Sequence, residues 1–272
     1  MNAMFENKCD KTCEECPLLP KILEQHDKLM RATLFGDSEE VKRILDELVN
    51  RPMIDDIHIF SIPTPIYQIA LFNQMVWDTS YWTDLRDEYQ VIVPWMQQRT
   101  EQTLAVWRDF LGVEELPQPE YDKYTVDDFF CNNKDESDKE VLWAPKENFL
   151  KCGCREIDVD LYLATCRFEF DKVESLLQQG ADPCSDLSYI EEDGSVQSLN
   201  TSYNRIEAEV VYLALELFPH YQKAQTDDIY SIEIDWRDYE NILGLAEHVK
   251  MEKLFNKYEH LWDTKDNTAN AE

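Results

Sequence analysis

Leu161–Pro183 reads LYLATCRFEFDKVESLLQQGADP, and no other stretch decides as much about the fold. Leu161, Leu163 and Ala164 fall on one side of a first helix, where Ala164 and Thr165 are small enough to let a neighbouring helix come close. Val173, Leu176 and Leu177 follow the i, i+3, i+4 rule on a second helix. Gly180 stands just past that helix, where the chain must enter the left-handed region, and Pro183 prevents the helix from resuming. One helix pair of this kind cannot bury its apolar face alone, so the pattern demands neighbours.

Neighbours are legible on both sides. Ala32–Leu45 (ATLFGDSEEVKRIL) repeats the helix–turn–helix logic, with Gly36 at the turn and Val41, Ile44 and Leu45 on the second apolar face. Thr64-Pro65-Ile66-Tyr67, followed by Ile69-Ala70, resembles the Thr-Pro-Leu-His opening of an ankyrin repeat, which implies a Thr that caps a helix and a Pro in its first turn. Val210–Leu215 reads as another inner helix and Asn241–Phe255 as a terminal pair. This arrangement resembles an ankyrin repeat, most closely at Ala32–Leu45 and Leu161–Pro183. The pattern departs from that family where Phe168 and Asn73 replace the turn glycine and where the spacing between copies is irregular. The resemblance implies a mainly α fold: an ankyrin-like solenoid of helix pairs with long loops and an acidic insertion. It also implies a surface for gripping another protein.

The expected organisation is a Cys-rich segment at 1–20, a helical region at 21–112, an acidic, Pro-containing insertion or connector at 113–150, a second helical region at 151–262 and a polar tail at 263–272. In the first helical region, Trp95, Met96, Arg99, Thr103, Val106, Trp107 and Phe110 recur at helical spacing, and such an aromatic stripe reads as core. Residues 113–148 hold eleven acids against four bases. Asp127, Asp128, Asp135, Glu136 and Asp138 there form either a solvated connector or a protruding contact surface. The polar loop 184–204, with Glu191, Glu192, Asp193 and Gly194, reads as a hairpin finger. A further acidic stretch, Thr226–Glu240, begins with Asp227 and Asp228.

Charge bounds the function. With 56 acidic and 26 basic residues the formal net charge is −30. Such a field repels nucleic acid and anionic membranes and speeds association with a basic protein. The run without Lys, Arg, Asp or Glu from Ile57 to Trp77 contains prolines and amides, which argue for a loop and a buried helix instead of a membrane span. The amino terminus lacks the apolar core of a secretory signal, and eight cysteines without a small disulfide framework fit reduced thiols in a cytoplasm.

Chemistry is sparse. Cys9-x3-Cys13-x2-Cys16 has the spacing of cluster-binding loops in radical S-adenosylmethionine enzymes, but the scarcity of glycine and the absence of strand–helix alternation disfavour that reading. Cys9, Cys13 and Cys16 with His26, Cys152 or Cys154 would instead supply a structural zinc site, and free thiols are the alternative. No metalloprotease His pair, nucleophile elbow or phosphate-cradling glycine loop is present, which leaves a non-enzymatic protein as the expectation. The favoured function is an acidic protein-binding module whose partner is basic. Ankyrin-like proteins of this profile include bacterial immunity proteins that neutralise nuclease toxins. The competing class is a zinc- or redox-linked sensor built on Cys9, Cys13, Cys16, Cys152 and Cys154.

Overall fold

The computed structural model describes residues 19–47, 56–59, 62–77, 89–119, 145–191 and 193–262. Among them the chain is mainly helical, with ten α-helices and two short hairpins. It divides into two compact units that are discontinuous in sequence. The first takes residues up to Pro119 together with Leu215–Leu243, and the second takes Glu120–Ala214 together with the residues from Gly244.

The first unit opens with α1 (Leu19–Leu34) and α2 (Ser38–Asp46), joined at Gly36. Lys28 pairs with Glu24 at i, i+4 spacing on the exposed side of α1 and the mostly buried Arg31 pairs with Asp27, while Leu29, Ala32 and Thr33 are buried. The α1 terminus closes with a two-bond C-cap: Asp37 N–H donates to Ala32 O (2.8 Å) and Gly36 N–H to Thr33 O (3.3 Å). Gly36 sits at φ 67°, and a Cβ there would lie 2.7 Å from Arg99 Cβ, so two constraints select glycine. Arg99 belongs to α4 (Tyr89–Leu111) and donates from Nε to Phe35 O at 2.9 Å, which pins the turn.

Between them lie β1 (Asp56–Ile59), β2 (Ile62–Pro65) and α3 (Tyr67–Trp77). The strands pair antiparallel, with Ile57 opposite Thr64 and Ile59 opposite Ile62. Pro65, expected in the first turn of a helix, is instead the last residue of a strand. Thr64 and Pro65 end a strand, and the helix starts only at Tyr67. The described part of 57–77 is a pair of strands leading into a buried helix, where a loop was expected. On α3, Asn73 is fully buried and makes three hydrogen bonds. Its Nδ2 donates to Leu34 O (2.7 Å), and its Oδ1 accepts from Trp77 Nε1 (3.2 Å) and Tyr221 OH (2.8 Å). Removing it would orphan three buried groups at about 1–3 kcal/mol each. Trp77 stacks on Phe218 with ring centroids 4.8 Å apart, and Met96 and Trp107 of α4 are buried as the aromatic stripe predicts.

The second unit contains α5 (Lys146–Lys151), α6 (Glu156–Cys166), α7 (Phe170–Gln178), β3 (Leu187–Ile190) and β4 (Val196–Leu199). Its core gathers Phe149, Val159, Tyr162, Cys166 and Leu187, with Tyr189 and Leu199 of the hairpin packed against them. The helix pair expected at 161–183 is present. Ala164, Thr165, Val173 and Leu177 are buried, and Leu176 is half-buried. Two long helices, α8 (Ser202–Ala224) and α9 (Trp236–Lys257), give residues to both units, and α10 (Glu259–Trp262) follows. A 3-10 turn at Ile229–Ser231 lies between α8 and α9.

Both units contain the order helix, helix, hairpin, helix, preceded in the second by the short α5. The turn at Thr165–Glu169 repeats the bonds of Thr33–Asp37. Glu169 N–H donates to Ala164 O (3.0 Å) and Phe168 N–H to Thr165 O (3.1 Å). Phe168 holds the place of Gly36 and adopts φ 49°, the one non-glycine residue with positive φ among those described. An L side chain there costs about 1–2 kcal/mol.

Candidate functional site

The hairpin finger of the second unit is the best-defined exposed feature among the residues expected to bind a partner. Its base is fixed from three directions. Asp158, buried in the first turn of α6, accepts both Arg155 Nε (2.6 Å) and Nη2 (2.5 Å) and also the backbone N–H of Asp182 (2.9 Å). This ties the chain leaving α7 to the start of α6. After α7 the same two-bond C-cap recurs, with Ala181 N–H to Leu176 O and Gly180 N–H to Leu177 O, both 3.0 Å, and Gly180 at φ 86°. On the return side Tyr203 N–H donates to Pro183 O (3.0 Å), and Thr201 Oγ1 accepts Asn204 N–H (3.1 Å), capping α8.

The third tie is a thiol. Ser188 N–H donates to Cys154 Sγ (3.4 Å), and Cys154 S–H donates back to Ser188 O (3.3 Å). A side chain thus takes the place of a neighbouring strand along β3.

At the tip, Gly194 (φ 84°) donates to Glu191 O (3.0 Å), and Glu191 N–H donates to Ser195 O (2.9 Å). Asp193 Oδ1 accepts Ser195 N–H (2.8 Å), which holds the Asp193 carboxyl below its usual range and keeps it ionised. Glu191 Oε2 accepts Ser195 Oγ (3.0 Å). The tip carboxylates are therefore set in place before any partner arrives. From Val173 to Asn204 the chain has six acids and no Lys or Arg, so the finger's charge is uncompensated along the sequence.

The other expected acids divide. Asp228 caps the 3-10 turn through Tyr230 N–H (3.1 Å), and Asp227 Oδ1 accepts Thr226 Oγ1 (3.0 Å). Both are exposed and belong to the first unit. Asp127, Asp128, Asp135, Glu136, Asp138 and Glu192 lie outside the described residues, as do Cys9, Cys13 and Cys16. Cys152 is a free, half-buried thiol, and the Cys154 thiol is committed to Ser188. Among the described residues no group of three His, Cys, Asp or Glu side chains is placed to hold a metal ion, and no helix is long and apolar enough to cross a membrane.

Some groups escaped the sequence reading. Trp236, at the start of α9, is 62% exposed, with the Arg237 guanidinium 5.5 Å from its ring centroid. Its only sequence signal was an indole inside the acidic stretch. Further along α9, burial pushes Glu252 up to about 7 and Glu247 well above the carboxylate range, and it pulls His248 down to about 4. These groups stand on the buried side of one helix, and no motif marks them.

These features define a mainly helical protein with exposed, acid-tipped structure among the described residues. No family model, curated protein or solved structure matches the chain.

Proposed function

We propose that this chain is a non-enzymatic, ankyrin-like protein-binding module that holds a basic protein partner through acid-rich exposed structure. One observation carries the reading. The finger presents Glu191 and Asp193 in a turn fixed by its own hydrogen bonds, on a chain of net charge −30 with no base between Val173 and Asn204. Pre-set carboxylates lose little conformational freedom on binding, and the surrounding field raises the rate of encounter with a cationic surface. The helix–helix–hairpin–helix order found in both units supports the ankyrin-like part of the reading, because stacked units of that kind form extended binding surfaces. Within it, the narrower function is neutralisation of a basic toxin such as a nuclease, with the acidic surface standing in for a phosphate backbone.

Affinity capture from the native cell, followed by titration of the captured protein at low and high salt, tests this. The expected partner is basic, and its association slows and weakens as salt rises. A partner whose affinity is indifferent to salt, or turnover of a small molecule by the purified chain, would sink the proposal.

A further inference from the structure

The hydrogen-bond register of the finger makes its two edges unequal. Glu191 N–H bonds Ser195 O, so Glu191 and Ser195 form a hydrogen-bonded pair. Pairs alternate along an antiparallel ladder. Tyr189 with Gln197 and Leu187 with Leu199 are therefore bonded pairs, while Ile190 with Val196 and Ser188 with Ser198 are not. In a non-bonded pair the N–H and C=O of each residue point away from the partner strand. The bonds from Ser188 N–H and O to Cys154 agree with this, since those groups must point outward from β3.

The same geometry aims the N–H and C=O of Val196 and Ser198 outward from β4. Among the described residues nothing bonds them. Val196 is 61% exposed, and Gln197 and Ser198 are also exposed. Edge strands are normally guarded by Lys, Pro or a bulge, and Val196-Gln197-Ser198-Leu199 carries none of these. One edge of the finger is closed by a thiol, and the other is open among the described residues.

We infer that the outer edge of β4 accepts an extended, Lys- or Arg-bearing segment of the partner protein as a third strand. Main-chain bonds to Val196 and Ser198 supply the register. An apolar side chain of the incoming strand lies beside Val196 on the outer face. Its basic residues meet Glu191 and Asp193 at the tip, where no base of this chain competes along the sequence. The inference rests on the protein-binding reading above and specifies the kind of segment recognised.

The test uses the full chain and two synthetic peptides. One is acetyl-Lys-Val-Lys-Val-Lys-Val-amide. The other has the same sequence and charge but is N-methylated at every backbone amide. Amide exchange by NMR is read at Val196, Gln197 and Ser198. In the free protein the Val196 and Ser198 amides exchange fast, and Gln197, bonded to β3, is protected. The first peptide slows exchange at Val196 and Ser198, and its methylated twin does not. Ser198→Pro removes one outward N–H while sparing the β3–β4 ladder, and it weakens the first peptide about fivefold. Because that variant can misfold, the methylated twin gives the same answer on unaltered protein.

If both peptides bind with salt-sensitive affinity and neither protects those two amides, the edge is not the site and the acidic reading stands. If neither binds at low ionic strength, both ideas fail. Protection of Ser198 in the free protein would also overturn the open edge.

Discussion

At Phe168 two demands oppose each other. Its backbone takes the left-handed conformation that Gly36 takes in the equivalent turn, at a cost glycine does not carry. Its ring is buried and packs edge-on against His248, with centroids 4.8 Å apart. Losing a buried Phe ring costs about 3–5 kcal/mol, which exceeds the roughly 1–2 kcal/mol of backbone strain, so packing decides the residue. Two truncations separate the terms. Phe168→Ala loses the ring and keeps the strain, whereas Phe168→Gly loses the ring and relieves it. In urea unfolding both are destabilised, and the Gly variant is the more stable by about 1 kcal/mol. Equal stabilities would mean that the φ value costs nothing. Gly36→Ala goes the other way, because the new Cβ meets strain and Arg99 together.

At the scale of elements, α9 carries Glu247, His248 and Glu252, shielded groups whose effects on stability oppose one another. The folded Glu252 retains its proton up to about pH 7, while the unfolded chain releases it near the ordinary value of 4.5. Between those values the native state binds more protons, so stability falls as pH rises. Glu247, also raised by burial, acts in the same direction. His248 is opposite. Held neutral down to about pH 4, it makes stability rise between there and 6.5. Glu252→Gln removes one falling contribution, so it stabilises the protein more at pH 7.5 than at pH 5, as measured by urea midpoints at the two values. A gain of the same size at both would show that Glu252 ionises normally.

The same scale shows what sequence could reveal. The helix pair at 161–183 was legible because small, branched and helix-ending residues act within a few positions of one another. The finger was legible from Glu191–Gly194 for the same reason. The hairpin at 56–65 was not, because Pro63 and Pro65 read as loop and the strands hold each other across the pair. Helix α4 was legible from its aromatic stripe. The division of α8 and α9 between two units has no local signal, since it depends on contacts far apart in the chain.

For the whole molecule, the excess of acids over bases dominates. Like charges on a compact chain repel, and added salt shortens the reach of that repulsion to about 10 Å at 0.1 M. Stability is therefore expected to rise between about 10 and 200 mM sodium chloride, by something of order 1 kcal/mol, read as an upward shift of the urea midpoint. A midpoint that fell with salt would mean that favourable ion pairs such as Lys146 with Asp160 outweigh the repulsion. The site was legible only in part at this scale. The acids of the finger stand in plain view in the sequence. The unequal edges do not, because they depend on a thiol and a serine 34 residues apart.

That thiol has a practical consequence for anyone who handles the protein. A Cys154 sulfur capped by an alkylating reagent can no longer donate to Ser188, and the added bulk displaces it from β3. The hairpin would then expose both flanks at once, and a doubly bare two-stranded ribbon is a template for self-association. Iodoacetamide treatment, or Cys154→Ala, should produce concentration-dependent light scattering that untreated protein kept in reductant does not show.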